Sequence, residues 1–146
     1  MGDDAPTTED GACLVLRNDF EELKRLAPWI EDAVERASLD AATSFAIQLC
    51  LDEAVANVIM HGKVEGKASR IMVKLQRMRD KFVLEVEDDG APFDPTGVAP
   101  ANPSETLETT RIGGLGVHLM RTFSASMHYE RVADQNRLSL TFPATA

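Results

Sequence analysis

Glu53 and Asn57 lie four residues apart in a stretch, Phe45 to Met60, whose other polar side chains are Gln48 and Asp52. Four residues is about one helical turn, so the carboxylate and the amide share one helix face. A carboxylate so placed can accept a proton from an attacking hydroxyl or water. An amide oxygen one turn on can join the shell of Mg²⁺, which takes few protein oxygens and keeps waters and phosphate oxygens. The same spacing also describes the wetted stripe of an amphipathic helix. Downstream, Val86-Glu87-Asp88-Asp89-Gly90 ends an apolar run on a carboxylate. Asp88 at a strand end can accept from the amino group of adenine, Gly90 lets backbone approach the base closely, and Phe93 can wall the pocket. A plain Asp-Gly turn uses the same residues. A third segment, Gly113-Gly114-Leu115-Gly116, precedes Val117-His118-Leu119-Met120. Glycines that open a helix offer backbone N–H groups to anionic oxygen, helped by the helix dipole. A flexible loop before a helix is the simpler reading of the glycines alone. The third glycine of a dinucleotide fingerprint is missing, and no Gly-Lys-Ser/Thr of a P-loop occurs.

The elements that must position these groups follow from periodicity. Residues 12–17 read as a strand, and Asn18 or Asp19 caps a helix reaching about Ala37, with Pro28 expected to kink or break it. Asp40 caps a second helix that carries Glu53 and Asn57, passes His61 and stops at Gly62. Arg70–Met78 and Phe82–Glu87 alternate as a half-buried hairpin turning at Asp80-Lys81. Val73, Leu75 and Val83 are expected on one face. Residues 94–112 form a proline- and glycine-rich loop, long for a compact domain and therefore expected to be functional or mobile. A short helix follows from Gly114 to Phe123. Met127–Val132 and Arg137–Phe142 close with a second hairpin, its turn near Asp134-Gln135-Asn136. Strand, helix, helix, hairpin, loop, helix, hairpin predicts an α+β two-layer sandwich, a mixed sheet covered on one face by helices.

The 146 residues suit one core. Residues 1–11 read as a disordered acidic tail and 12–146 as a single domain. A net charge of −9 argues against a nucleic-acid footprint and against anionic membranes. No continuous apolar run of about 20 residues is present, and Met1 to Gly11 has no signal-peptide character. Cys13 and Cys50 lack metal or CxxC spacing and are expected as buried, reduced thiols in a cytoplasmic protein.

Taken in order, "DEAVANVIMHG", "EDDGAPFDP" and "GGLGVHLMR" resemble the N, G1 and G2 boxes of the GHKL ATPase superfamily. That superfamily holds gyrase, Hsp90, histidine kinases and MutL and shares the Bergerat fold. Within it, residues 12–142 look most like the small anti-sigma factor serine/threonine kinases of bacterial partner switching. The resemblance implies that Glu53 is the general base, where histidine kinases usually carry Asn, and that Asn57 is the Mg²⁺ ligand. It implies that Asp88 and Gly90 read adenine, with Phe93 beside them. Gly113, Gly114, Leu115 and Gly116 would border the phosphates, and residues 94–112 would form an ATP lid. ATP and Mg²⁺ are then the cofactors. The implied substrate is a serine or threonine on a STAS-domain anti-anti-sigma protein, and the competing client a sigma factor or other output regulator. Homodimers occur in that family. An ATP-binding regulatory module that sequesters a partner with little transfer activity would carry the same nucleotide groups. The chain departs from relatives near Ser124-Ala125-Ser126, which lack the acidic residue often found there. His61 and His118 read as structural, since no dimerisation helix pair precedes the domain to make either a phosphoacceptor.

Overall fold

The computed structural model describes residues 11–62, 64–66, 69–97 and 115–144. Its elements are β1 (Gly11–Arg17), a 3-10 turn (Phe20–Glu22), α1 (Leu23–Arg36), α2 (Ala41–His61), β2 (Arg70–Met78), β3 (Lys81–Asp88), a 3-10 turn (Pro95–Gly97), α3 (Leu115–Phe123), β4 (Ser126–Val132) and β5 (Gln135–Pro143). Residues 1–10 of the expected tail 1–11 and most of the expected lid, 98–112, lie outside the described residues, as do Gly113 and Gly114, while Gly11 begins β1.

The strands form one sheet in the order β1-β2-β3-β5-β4. Every neighbouring pair is antiparallel, which corrects the expected mixed sheet. The reason is topological. β3 and β4, joined through α3, do run parallel to one another. The last strand, β5, then inserts between them and is antiparallel to both.

Alternation along each strand divides the sheet into two faces. Leu16, Ile71, Val73, Leu75, Phe82, Leu84, Val86, Leu138, Leu140 and Phe142 are buried in one core with Leu26, Ile30, Ile47, Leu51, Val55, Ile59 and Met120 of the helices. Val83 belongs to the other face, contrary to expectation, because Phe82, Leu84 and Val86 are the inward set. Cys13 also falls on that face and is exposed; Cys50 alone is a buried thiol. The open face carries cross-strand ion pairs instead of a helix layer. Glu87 meets Arg137 at 2.7 Å, and Arg137 meets Glu130 at 3.2 Å.

Asp40 caps α2 as its side chain predicts, accepting from Thr43 N at 2.7 Å. Asp19 caps the first 3-10 turn in the same way, accepting from Glu21 N at 3.0 Å. α1 runs through Pro28 without a break. Pro28 and Lys24, whose carbonyl loses its partner, are both exposed, so water can replace the missing bond. Among the described residues, α2 is the one helix long and apolar enough to pass for a membrane span. Its Ile47, Leu51, Ala54, Val55 and Ile59 are buried on the sheet.

Candidate functional site

The C-terminal end of α2 meets the C-terminal end of β3. Gly62 closes the helix by donating to Val58 O at 2.7 Å, and its own carbonyl accepts from Ala91 N at 2.9 Å. Gly90 makes that contact feasible. A Cβ there would lie 1.9 Å from Gly62 O, so any side chain would push the strand end off the helix. Glycine is required at 90 for close backbone approach.

Asp88 is the last residue of β3 and continues the inward series Phe82, Leu84, Val86 by one step. It is 4% exposed. Its Oδ2 accepts from Gly90 N at 2.9 Å and from Asn136 Nδ2 at 3.1 Å. Burial holds the carboxyl above the usual range, against the two hydrogen bonds that pull it down, and neighbouring Asp89 adds to the rise.

Asn136 organises this end of the sheet and was not among the expected site residues. It sits directly opposite Asp88 in the β3–β5 register. Its Nδ2 donates to Asp88 and to Ala91 O at 2.8 Å. Its Oδ1 accepts from Phe93 N at 3.3 Å, from Arg131 Nη1 at 3.2 Å and from the Tyr129 hydroxyl. Arg131 Nη1 also donates to Gly90 O at 2.9 Å. One amide thus ties β3, β4, β5 and the segment after β3 together. A sequence signal for it exists. Asn136, Leu138, Leu140 and Phe142 share one face, so a polar residue ends the inward series of β5 just as Asp88 ends that of β3.

These groups border a cleft of about 350 Å³, open to solvent, lined by Ala54, Asn57, Val58 and Gly62 of α2 and by Asp88, Phe93, Tyr129 and Asn136 among others. Phe93 stacks on His61, ring centroids 4.4 Å apart and planes 14° from parallel, and so forms one wall. Asn57 reaches into the cleft, and its Nδ2 is buried without a hydrogen-bond partner. A buried amide nitrogen left unpaired is costly, so this corner of the cleft has polar capacity to spare. Among the described residues no cluster of three or more His, Cys, Asp or Glu side chains could hold a metal. A Mg²⁺ here would fit a donor set of one amide oxygen completed by phosphates and waters.

Glu53 lies one turn before Asn57, half-buried, against the start of α3. A Cβ on Gly116 would fall 2.7 Å from Glu53 Oε2. The structure therefore brings Glu53 beside Gly116, sets Asn57, Asp88 and Phe93 around the cleft, and packs Gly90 against Gly62 behind its lining. Leu115 begins α3. At the other end of α3, Arg121 Nη2 donates to Thr96 O at 2.7 Å, fastening the turn after Phe93 to that helix.

Residues 16–142 match the family described as histidine kinase-like ATPase domain. The serine/threonine-protein kinase BtrW of Bordetella bronchiseptica is 33% identical over 113 residues, covering 77% of this chain and 80% of the relative. The serine-protein kinase RsbW of Bacillus subtilis is 27% identical over 103 residues, covering 68% of this chain and 61% of the relative. Among solved structures, the SiaB-SiaC complex from Pseudomonas aeruginosa aligns over 90% of this chain and 89% of that one, with a TM-score of 0.56 at 13% identity. The catalytic domain of the histidine kinase ThkA aligns over 91% and 99%, with a TM-score of 0.54 at 14% identity, a likeness of fold. With the sheet order, the Asp88–Gly90 turn and the α2 carboxylate–amide pair all in place, the family match spans nearly every described element, and the chain belongs to the histidine kinase-like ATPase domain family.

Proposed function

We propose that this chain is an ATP-dependent protein serine/threonine kinase of the partner-switching kind. It phosphorylates a STAS-domain anti-anti-sigma protein and sequesters a sigma factor or another output regulator. The carrying observation is that one helix touches both ends of the site. α2 sets Gly62 against the Asp88–Gly90 turn, Asn57 in the cleft and Glu53 against the start of α3. From residue 53 to residue 62 the helix rises about 13 Å, a span suited to an extended nucleoside triphosphate.

In this reading the adenine amino group meets Asp88. Both hydrogen bonds that hold Asp88 fall on Oδ2, which leaves Oδ1 as the acceptor. Gly90 and Phe93 border the base. Asn57 holds Mg²⁺, which neutralises charge on the phosphates when bound. Gly113, Gly114, Leu115 and Gly116 steady the phosphates at the helix start, the first two from outside the described residues. Glu53 takes the proton of the attacking hydroxyl as its oxygen bonds to the γ-phosphorus. The bond from that phosphorus to the bridging oxygen breaks and ADP leaves. Residues 12–146 act as one ATPase domain, with a lid at 94–112. Homodimer assembly and a cytoplasmic location belong to the same reading. The kinase names of the relatives, BtrW and RsbW, support it.

The test is transfer of labelled phosphate from ATP to a STAS-domain protein, by wild type and by Glu53→Gln. Transfer by wild type and its loss in the variant, with ATP still bound, are expected. Nucleotide binding by wild type without transfer would instead give an ATP-binding regulatory module.

A further inference from the structure

We propose that Gly116 is a positioning residue for Glu53: the side chain it lacks is the space in which the Glu53 carboxylate sits. Gly116 is buried as the second residue of α3. Its backbone does not lie in the left-handed region; among the described glycines only Gly66 does, at φ 79°. Helical φ makes no demand for glycine, and glycine is a poor helix former. Space is what remains. A Cβ at 116 would lie 2.7 Å from Glu53 Oε2, 3.4 Å from its Cδ and 3.7 Å from its Cβ. The first distance is shorter than carbon and oxygen tolerate, so the Glu53 carboxylate would have to swing aside, while the Cδ and Cβ distances are those of close packing.

Two further observations set Glu53 within this helix contact. One turn earlier on α2, Cys50 Sγ lies 4.0 Å from Met120 O, one turn further along α3 from Gly116. The two helices therefore approach closely at Glu53 and one turn before it. Burial, and secondarily the charge of Glu53, pushes the Cys50 thiol up to about 12, as a carboxylate held nearby would. A carboxylate against the first turn of a helix is also favoured by the helix dipole. The base is thus located by α3 as well as by α2, and the helix start assigned to the phosphates also sets the carboxylate that takes the proton. A glycine acting only on phosphate would leave the volume at 116 to the ligand, not to Glu53.

The inference rests on the kinase reading only for its rate measurement; its structural arm needs neither ATP nor partner. Three variants decide it: Gly116→Ala, Glu53→Ala and the pair together, each compared with wild type by thermal unfolding without nucleotide. Gly116→Ala is expected to lower Tm by up to about 3 °C with Glu53 present, because the carboxylate must leave its seat. In the Glu53→Ala background the same change is expected to be neutral or to raise Tm, since alanine is the better helix residue. An equal loss in both backgrounds overturns the proposal. Should Gly116→Ala fail to fold, restoration of folding by Glu53→Ala supports it and continued failure overturns it. Where wild type phosphorylates a STAS-domain protein, Gly116→Ala is expected to lose transfer at saturating ATP by at least about tenfold, over and above any loss of ATP affinity from its place beside the phosphates. Loss of ATP affinity with an unchanged saturated rate assigns Gly116 to the phosphates alone and overturns the proposal. A wild type with no transfer defeats the kinase reading and leaves the unfolding comparison to decide the seat of Glu53.

Discussion

Asp88 is asked to be both buried and charged. At 4% exposure its ionised form is disfavoured, and two hydrogen bonds only partly offset that. Its folded-state value stands above the ordinary aspartate value, so the folded chain holds the proton more tightly than the unfolded one. The sign for stability follows by linkage: protonated Asp88 favours the fold at low pH, and that contribution is lost as pH rises through the raised value. Asp88→Asn should therefore unfold at or above the wild-type temperature at pH 7, with the difference shrinking as pH falls through that window. The same variant should bind ATP about 1–3 kcal/mol more weakly, because it places a mixed donor against adenine's amino group. Calorimetry and thermal unfolding across pH check both halves. ATP affinity equal to wild type would remove the adenine-reading role. Glu53 and Asn57 should fail differently although they are one turn apart. Glu53→Gln keeps size and reach and should retain nucleotide while losing about 10²–10⁴-fold in transfer rate. Asn57→Ala should weaken Mg·ATP binding itself, measured as nucleotide affinity with and without Mg²⁺.

At the scale of elements, the β4–β5 hairpin decides the most. Its turn is Ala133-Asp134, both at positive φ, 51° and 65°. Two such residues between antiparallel strands form the tight turn that glycine and asparagine favour. Ala133→Gly should relieve the backbone there and raise stability by about 0.5–1 kcal/mol, read by denaturant unfolding; a loss would mean the turn tolerates alanine without strain. This turn also explains what the sequence did not yield. The cluster Asp134-Gln135-Asn136 reads as turn chemistry, and that reading leaves Asn136 in a loop. The pairing Val132↔Gln135 shortens the turn by two residues and delivers Asn136 into the strand, facing Asp88. Asn136→Ala should cost about 1–3 kcal/mol and weaken ATP binding as well, since Asp88 and Ala91 O lose a donor and Phe93 N an acceptor. Unfolding together with calorimetry tests this, and a variant with both properties unchanged would deny the hub its role. What periodicity does declare is robust. Asp40 and Gly62 bound α2 where their chemistry says they should, and one turn of it carries Glu53 against Gly116 and Asn57 into the cleft. Register and strand order are long-range outcomes of packing, and no local pattern in β3 or β4 reveals that β5 will come between them.

At the scale of the whole molecule, that late insertion sets an order in time. β5 pairs with β3 over eight positions and with β4 over seven, so residues 135–143 supply two of the sheet's four seams, the β3–β5 and β5–β4 pairings. A nascent chain that has emerged only as far as residue 134 holds β3 and β4 with no partner between them, and Asp88 without Asn136. A fragment ending at 134 should accordingly fail to bind nucleotide and show a non-cooperative melt, and adding a peptide of residues 135–144 in excess should restore some of both. Cooperative unfolding of the fragment alone would contradict this. In the cell, the β3–β5–β4 side of the sheet cannot close while residues 135–143 are still threaded through the ribosome. Until then the exposed edges of β3 and β4 are surfaces for a chaperone rather than for a regulatory partner.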